Sequence, residues 1–543
     1  MLSVGIVFVY LAIVLYIGIF AFRKGKGSGE DFFLASRSLG PWVFLLSLFG
    51  TNMTAFAILG SSGMAYSRGI GVYGLMASSS GIIIPLTIFL IGTRLWALGK
   101  KHEHMTQVQF LRDRWECDGI GTFIFALTAA MLIPYIVIAM MGGGEVLETV
   151  SDHKVPYWFG GGIVAIVVMG YVFFGGMRGT AWVNAFQTTL FLLFGSIAFI
   201  LIGKSMGGFP QIMESLNARP PTAALLTRER IPAEEFFSYL FIPLSAIMFP
   251  HLSIMCLTAE KIGHFKKTVI WYPVCIMAIW LPSVYLGVAA KSQFPSLTPG
   301  EANDVIIRLL TQNTGAIVSG VLGAGIMACV MASDSQIMAL STMFTQDLFT
   351  HYGGKEKFGD RVQIMAGRAF VVGITLIAYL IALALKDQES IFELAIRFAF
   401  SGFAALAPVM LAALFWKRST KWGALAASTW VLCAVLGVWH LTAVSESIAP
   451  RPPAPPAATA MAKGKAPGKA MVPGKAGSGK AVQIYPDRGD LFLRGPVNVT
   501  VYGYLPVMPM VLISALLMIV GSLVTPPPSR ATVEKYFPPA RRS

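Results

Sequence analysis

Residues 2–22 read LSVGIVFVYLAIVLYIGIFAF, and runs of this kind recur along the chain. A bilayer core about 30 Å thick takes about 20 apolar residues at a rise of 1.5 Å per residue. The first run lacks a basic leader and a small-residue cleavage site, so it reads as a retained span and not as a signal peptide. Of the 543 residues, 55% are hydrophobic and only 13% charged, with a mean hydropathy of +0.67. Soluble domains carry about 25% charged residues, so the chain reads as an all-α integral membrane protein.

A net charge of +15 would suggest nucleic acid in a soluble protein. Here the basic residues fall mostly between spans, a placement that follows membrane topology better than a binding patch. Cys117, Cys256, Cys275, Cys329 and Cys433 are scattered and have no CxxC spacing, which supports neither a disulfide framework nor a zinc site.

About thirteen spans are expected, centred near residues 12, 51, 85, 130, 165, 193, 246, 280, 330, 377, 404, 432 and 515. Loops 23–37, 100–114, 260–267, 355–368 and 416–421 form the basic set. The positive-inside rule places them in the cytoplasm, with the N-terminus outside, the C-terminus inside and the chain multi-pass in the cell (plasma or inner) membrane. Residues 1–448 form the helical bundle of spans 1–12, 449–490 an extracytoplasmic Pro/Ala/Gly/Lys-rich insert expected to be disordered, and 491–543 the last span and a short cytoplasmic tail. GKAGSGKA at 474–481 lacks the final Ser/Thr and the preceding strand of a phosphate loop. His102 and His104 in KHEHM read as part of a solvated loop better than as metal ligands.

Three spans break the apolar pattern. FGTNMTAFAILGSSG (49–63) carries Gly, Thr, Asn and Ser where a lipid-facing helix would be hydrocarbon. Unpaired backbone groups cost several kcal/mol in hydrocarbon, so a broken helix survives only against protein or a water-filled cavity. Transporters built from inverted repeats place such breaks at matching positions in their two halves. FIPLSAIMFPHLSIM (241–255), with Pro243 and Pro250, is the matching break. Spans two to six and seven to eleven then form two inverted five-helix repeats with broken first helices, unless the small residues merely serve close packing. The third is GIMACVMASDSQIMALSTMFTQDLF (325–349), whose Asp334 is an ionisable residue inside a span and has to face the bundle interior or water.

The chain resembles the sodium/solute symporter family over nearly all of its length outside the insert. The resemblance rests on DFFLASRSLGPWVFLLSLFGTNMTAFAILGSSGMAY (31–66), TQVQFLRDRW (106–115), FGGMRGTAWVNAFQ (174–187), TMFTQDLF (342–349) and GFAALAPVMLAALFWKRSTKWGAL (402–425). It implies a sodium site between the second and ninth spans, with main-chain carbonyls of Gly50 and Met53 on one side. Opposite stand Cys329, Ala332 and Ser333 if the alignment is anchored from the left. Anchored from TQDL, the hydroxyl pair falls on Met331 and Ala332. Either way one hydroxyl ligand is missing, and water, Ser335 or Asp334 is left to replace it. Asp334 is therefore the coupling candidate.

The candidate solute contacts are Asn52, Thr54, Ala55 and Phe56 on the second span, with Gly50 and Gly60 allowing it to unwind. Ser79 in the third span, and Phe249 and His251 at the break of the seventh, complete the set. The acid usual in the 174–187 motif is Asn184 here, and the acid and amide of sugar carriers fall on Phe56 and Ala57. The expected function is Na⁺-coupled symport of a small organic solute, an amino acid or monocarboxylate before a sugar. Its partners are the solute, Na⁺ as coupling ion and the bilayer, with no cofactor and no nucleic acid. Two other readings are a membrane-embedded solute sensor with a degraded sodium site, for which the tail leaves little room, and H⁺-coupled transport through Asp334. No nucleophile, metal or acid/base constellation suggests an enzyme.

Overall fold

In the computed structural model, residues 2–23, 28–298, 300–332, 334–386, 391, 395–448, 482–494 and 499–538 are described. Among them ten helices are long and apolar enough to cross a bilayer, and two bent pairs bring the number to as many as twelve. In chain order these and the short helices that position the site are α1 (Leu2–Arg23), α2 (Pro41–Asn52), α3 (Phe56–Arg68), α4 (Gly71–Lys101), α5 (Gln107–Arg114), α6 (Asp118–Val150), α7 (Tyr157–Ser205), α8 (Ala233–Ile247), α9 (Pro250–Leu257) and α10 (His264–Ser292). There follow α11 (Ala316–Met331), α12 (Asp334–Met343), α13 (Gly354–Ala384), α14 (Ala395–Phe415), α15 (Lys421–Ser445), α16 (Val507–Val524) and α17 (Arg530–Tyr536).

The helix α7 has 49 residues and would be on the order of 70 Å long as a straight rod. It breaks at Gly176, whose φ of 53° and ψ of −152° lie outside the helical region. A side chain there would meet the Phe32 carbonyl at 2.6 Å, so the break needs glycine for both conformation and space. Just past it Arg178 reaches Asp31 and the Ala35 carbonyl. At the start of α7, Tyr157 bonds the Ala382 carbonyl, and the segment after it, at Phe209, accepts from Tyr285 near the end of α10.

The chain thus has two populated ends. At one the basic loops meet: Leu39 N–H donates to Thr258, Arg37 to the His104 carbonyl, and Trp96 to the Ala259 carbonyl. At the other, Tyr66 bonds the Phe294 carbonyl, Thr149 bonds Asp304, Lys386 pairs with Glu148, and Arg68 forms a two-pronged bridge to Glu235.

Both expected breaks are present. The axes of α2 and α3 differ by 57° and those of α8 and α9 by 45°. In the second pair Pro250 opens α9 and cannot donate to the preceding turn. In the first, the break differs in place from the expectation. It lies at Met53 and Thr54, while Gly50 stays inside regular α2. A side chain on Gly50 would meet Thr188 Oγ1 at 2.2 Å, so Gly50 lets α2 approach α7 and does not unwind the helix. Gly142 of α6 does the same for α3, with Ala55 and Leu59 within contact of its missing side chain.

The boundary of the insert also differs. Residues 449–481 lie outside the described residues, but 482–490 do not belong with them: Val482–Gln483 pairs antiparallel with Phe492–Arg494, which pairs with Val499–Val501. The Val, Ile, Tyr, Phe and Thr residues of this stretch suit strands.

Candidate functional site

A helix break frees carbonyls that must find donors. Here each donor comes from a different helix. Thr51 O accepts from Gln336 of α12 at 2.8 Å, and Asn52 O from the Tyr135 hydroxyl of α6 at 2.8 Å. Met53 O and Thr54 O both accept from the Cys329 thiol of α11, at 3.3 and 3.2 Å. The break of the second pair is held in the same way. Gln107 of α5 donates to the Met248 carbonyl at 2.9 Å and accepts from Ser253 at 2.6 Å.

The two breaks face one another across an aromatic cluster. Phe249 lies parallel to Tyr135 at 5.7 Å and packs edge-on to Phe400 at 5.5 Å, while Phe56 contacts Phe400 at 4.9 Å. His251 touches Phe249 and Tyr135 and is buried, and neither ring nitrogen has a hydrogen-bond partner. A tight crevice beside the cluster is lined by Asn52, Met53, Phe56, Ser80, Trp280 and Phe400, among others. Asn52 is fixed there by a 2.6 Å bond from its amide to Tyr272. Trp280 Nε1, in the crevice wall, is buried without a partner, an unmet donor of the kind a solute's acceptor would satisfy.

Behind the first break lies a second polar cluster. Asp334 is fully buried at the start of α12, beside Tyr171 and Asn184 of α7. Asn184 donates to Ser335 Oγ at 2.6 Å, and Ser335 donates to Asp334 Oδ1 at 3.3 Å. Asp334 Oδ2, Asn184 Oδ1 and Gln336 Oε1 have no partner. Oxygen atoms of this kind are what a hard cation takes as ligands.

The expected residues therefore separate. Asn52, Met53 and Phe56 line the crevice, with Phe249 and His251 packed behind Phe400. Met53, Cys329 and Thr54 meet directly. Ala332 follows Met331 at the point where α11 ends, its N–H on the Cys329 carbonyl; Ser333 lies outside the described residues. Ala55 turns toward Gly142, away from the crevice. On α4 it is Ser80 that lines the crevice, and Ser79 is buried beside it with an unpartnered hydroxyl. Tyr135, Tyr272, Gln107, Gln336 and Phe400 were not singled out by the sequence. Of these only Gln107 sits in a motif that carried the resemblance, and nothing in TQVQFLRDRW shows that it reaches a carbonyl 141 residues away.

A helical membrane bundle with two opposed helix breaks, both capped by side chains from other helices and bordered by unmet polar atoms, is the architecture of a secondary transporter. The model of the Sodium:solute symporter family matches residues 32–430, and the chain belongs to that family. It is 25% identical to the osmoregulated proline transporter OpuE of Bacillus subtilis (strain 168) over 82% of this chain and 89% of that one. It is equally 25% identical to the sodium/proline symporter of Escherichia coli (strain K12), over 77% and 84%. Among solved structures it shares its fold with a Na⁺-coupled sialic acid symporter in a substrate-bound outward-open state. That match has a TM-score of 0.68 and 16% identity over 81% of this chain and 91% of that one.

Proposed function

We propose that this protein is a secondary active symporter that moves a small organic solute, an amino acid or monocarboxylate, together with Na⁺ by alternating access. The observation that carries the reading is the break at Met53 and Thr54, whose carbonyls face Cys329 of α11, together with the polar cluster of Asp334 and Asn184 on α12 and α7, which reaches the same break through the bond from Gln336 to Thr51 O. Met53 and Asp334 supply oxygens to the ion, Gly50 and Ser333 complete the set, and Asn52, Thr54, Phe56 and His251 hold the solute. The proline transport named for the relatives supports an amino acid. So does a crevice walled by Phe56, Trp280 and Phe400, with few polar groups for a sugar. In this reading Gly176 divides α7 into two spans, which makes thirteen crossings in two inverted five-helix halves. The basic-loop end and the C-terminus face the cytoplasm.

A tenfold Na⁺ gradient supplies about 1.4 kcal/mol, and 100 mV about 2.3 kcal/mol per charge. Together they suffice for accumulation of several hundredfold. The test is uptake of labelled amino acids, with proline first, and of monocarboxylates into proteoliposomes under imposed Na⁺, H⁺ or no gradient. Concentrative uptake that requires Na⁺ supports the proposal, and binding without flux under any gradient overturns it. The burial of Asp334 with one free oxygen favours a second reading, H⁺ as the coupling ion; uptake driven by a proton gradient alone would select it.

A further inference from the structure

A groove of about 400 Å³ opens where the end of α1 meets the Gly176 break of α7 and the first turns of α13. Its polar wall carries Ser28, Arg178, Arg361 and Arg368, and its other wall Phe174 and Met365. Phe174 is 44% exposed and Met365 53%. Among the described residues, the carboxylate lining the groove is Asp31, which pairs with Arg178 at 2.6 Å. Among the described lining residues, three guanidinium groups stand against one carboxylate, with Arg361 and Arg368 both on the α13 side. Arg368 is held in place over the rings of Phe32 and Phe173, at 5.4 and 5.0 Å, and Arg361 is exposed. The groove sits at the basic-loop end, level with Ala21 near the last turn of α1, which is where hydrocarbon gives way to headgroups along a span of this length.

We propose that this groove binds an anionic glycerophospholipid. Its phosphate lies between Arg361 and Arg368, and an acyl chain lies along Phe174 and Met365. The two chemically different walls select this occupant. A free phosphate would satisfy the arginines but leave the exposed apolar wall in water, whereas a zwitterionic lipid would bring a second cation to a site already in positive excess. A bound lipid would tie α13 to the α1 and α7 elbow through its headgroup.

The experiment is titration of the full-length protein, in neutral detergent, with short-chain phosphatidylglycerol, read by native mass spectrometry. Phosphatidylcholine and inorganic phosphate are the parallel probes. A saturable phosphatidylglycerol adduct is expected, with phosphatidylcholine at least tenfold weaker. Each arginine near a headgroup contributes about fivefold, so Arg361→Gln should weaken binding about fivefold and the Arg361→Gln/Arg368→Gln pair about 25-fold. Lys261→Gln, on another exposed basic loop, should leave it unchanged. Because Arg361 is exposed, its single variant keeps the test independent of folding. Equal affinity in the double variant, equal affinity for phosphatidylcholine, or competition by inorganic phosphate at matching concentration would each overturn the proposal.

Discussion

Tyr135→Phe isolates one of the hydrogen bonds that hold the first break open. The ring that stacks on Phe249 at 5.7 Å and packs against Phe400 at 5.5 Å is retained. Only the hydroxyl that donates to the Asn52 carbonyl at 2.8 Å is lost. That carbonyl belongs to a buried residue at a helix end, and a buried acceptor left unmet costs about 1–3 kcal/mol. Expressed wholly in the conformation that binds the ion, that cost would raise the half-saturating Na⁺ concentration by about 5- to 150-fold. Relaxation of the break toward a straighter helix would absorb part of it, so a rise near the lower end of that range, about fivefold, is expected. The assay is initial-rate solute uptake in proteoliposomes over a Na⁺ series, with thermal unfolding in detergent alongside. Ser62→Ala is the control, because the Ser62 hydroxyl bonds only within its own helix, to Leu59 O. If Tyr135→Phe leaves both Na⁺ dependence and melting within error of Ser62→Ala, the hydroxyl does not shape the site and the argument from freed carbonyls fails.

Other outcomes follow from the same geometry. Asn52→Ala should weaken solute binding more than Ser62→Ala does in equilibrium binding, since it removes a crevice-lining amide and its 2.6 Å bond to Tyr272. Gly50→Ala places a methyl 2.2 Å from Thr188 Oγ1 and should cost about 1–3 kcal/mol by overpacking, read as a lowered melting temperature. Adding Thr188→Ala should recover part of it, less the bond from Thr188 to Leu46 O. The docking of α17 should depend on pH. Burial pushes the His104 imidazole down to about 4, an effect that Asp113 only partly offsets. Burial would raise Asp113, but Lys535 and Tyr536 outweigh it and hold the carboxyl below its usual range. His104, beside His102 and under Tyr536, is therefore neutral when docked. Its contribution is complete above about pH 6.5 and lost as pH falls from there toward 4. Asp113 acts in the same direction at lower pH. Hydrogen exchange of residues 529–537, corrected for its intrinsic pH dependence, should show protection falling over that window; protection unchanged down to pH 4.5 would refute it.

What could be read in the sequence was backbone chemistry. Pro250 has no N–H wherever it stands, and a cluster of Asn, Thr and Gly in an apolar run demands a polar neighbour by composition alone. The partners of the freed groups could not be read. Tyr135, Cys329 and Gln336 lie 83 to 285 positions from the carbonyls they reach, and no periodicity links them. Gly50 shows a different limit. Glycine serves both unwinding and close approach, and only the position of Thr188 separates the two uses. The histidines of KHEHM read as solvated because their cover, Tyr536, comes from the far end of the chain.

Two features looked unrelated in the sequence: Asn184 stands where the resemblance leads one to expect an acid in the 174–187 motif, and Asp334 is an ionisable residue inside a span. The structure puts them on opposite sides of one helix interface, joined through the Ser335 hydroxyl. The carboxyl group that the motif leads one to expect on α7 then has a counterpart on α12, at the same interface. This makes a sharp expectation. Asp334→Asn removes the carboxylate that the described residues give the cluster and should raise the half-saturating Na⁺ concentration about tenfold or more, about 1.4 kcal/mol. Asn184→Asp alone places two carboxylates in a buried space, where like charges oppose joint ionisation, and should lower expression or melting temperature. The Asp334→Asn/Asn184→Asp exchange restores one charge at the same interface and should recover Na⁺ dependence to within a few-fold of the parent. Additive losses in the exchange would mean that Asp334 acts through its own position on α12, and that the charge is not a shared property of the interface.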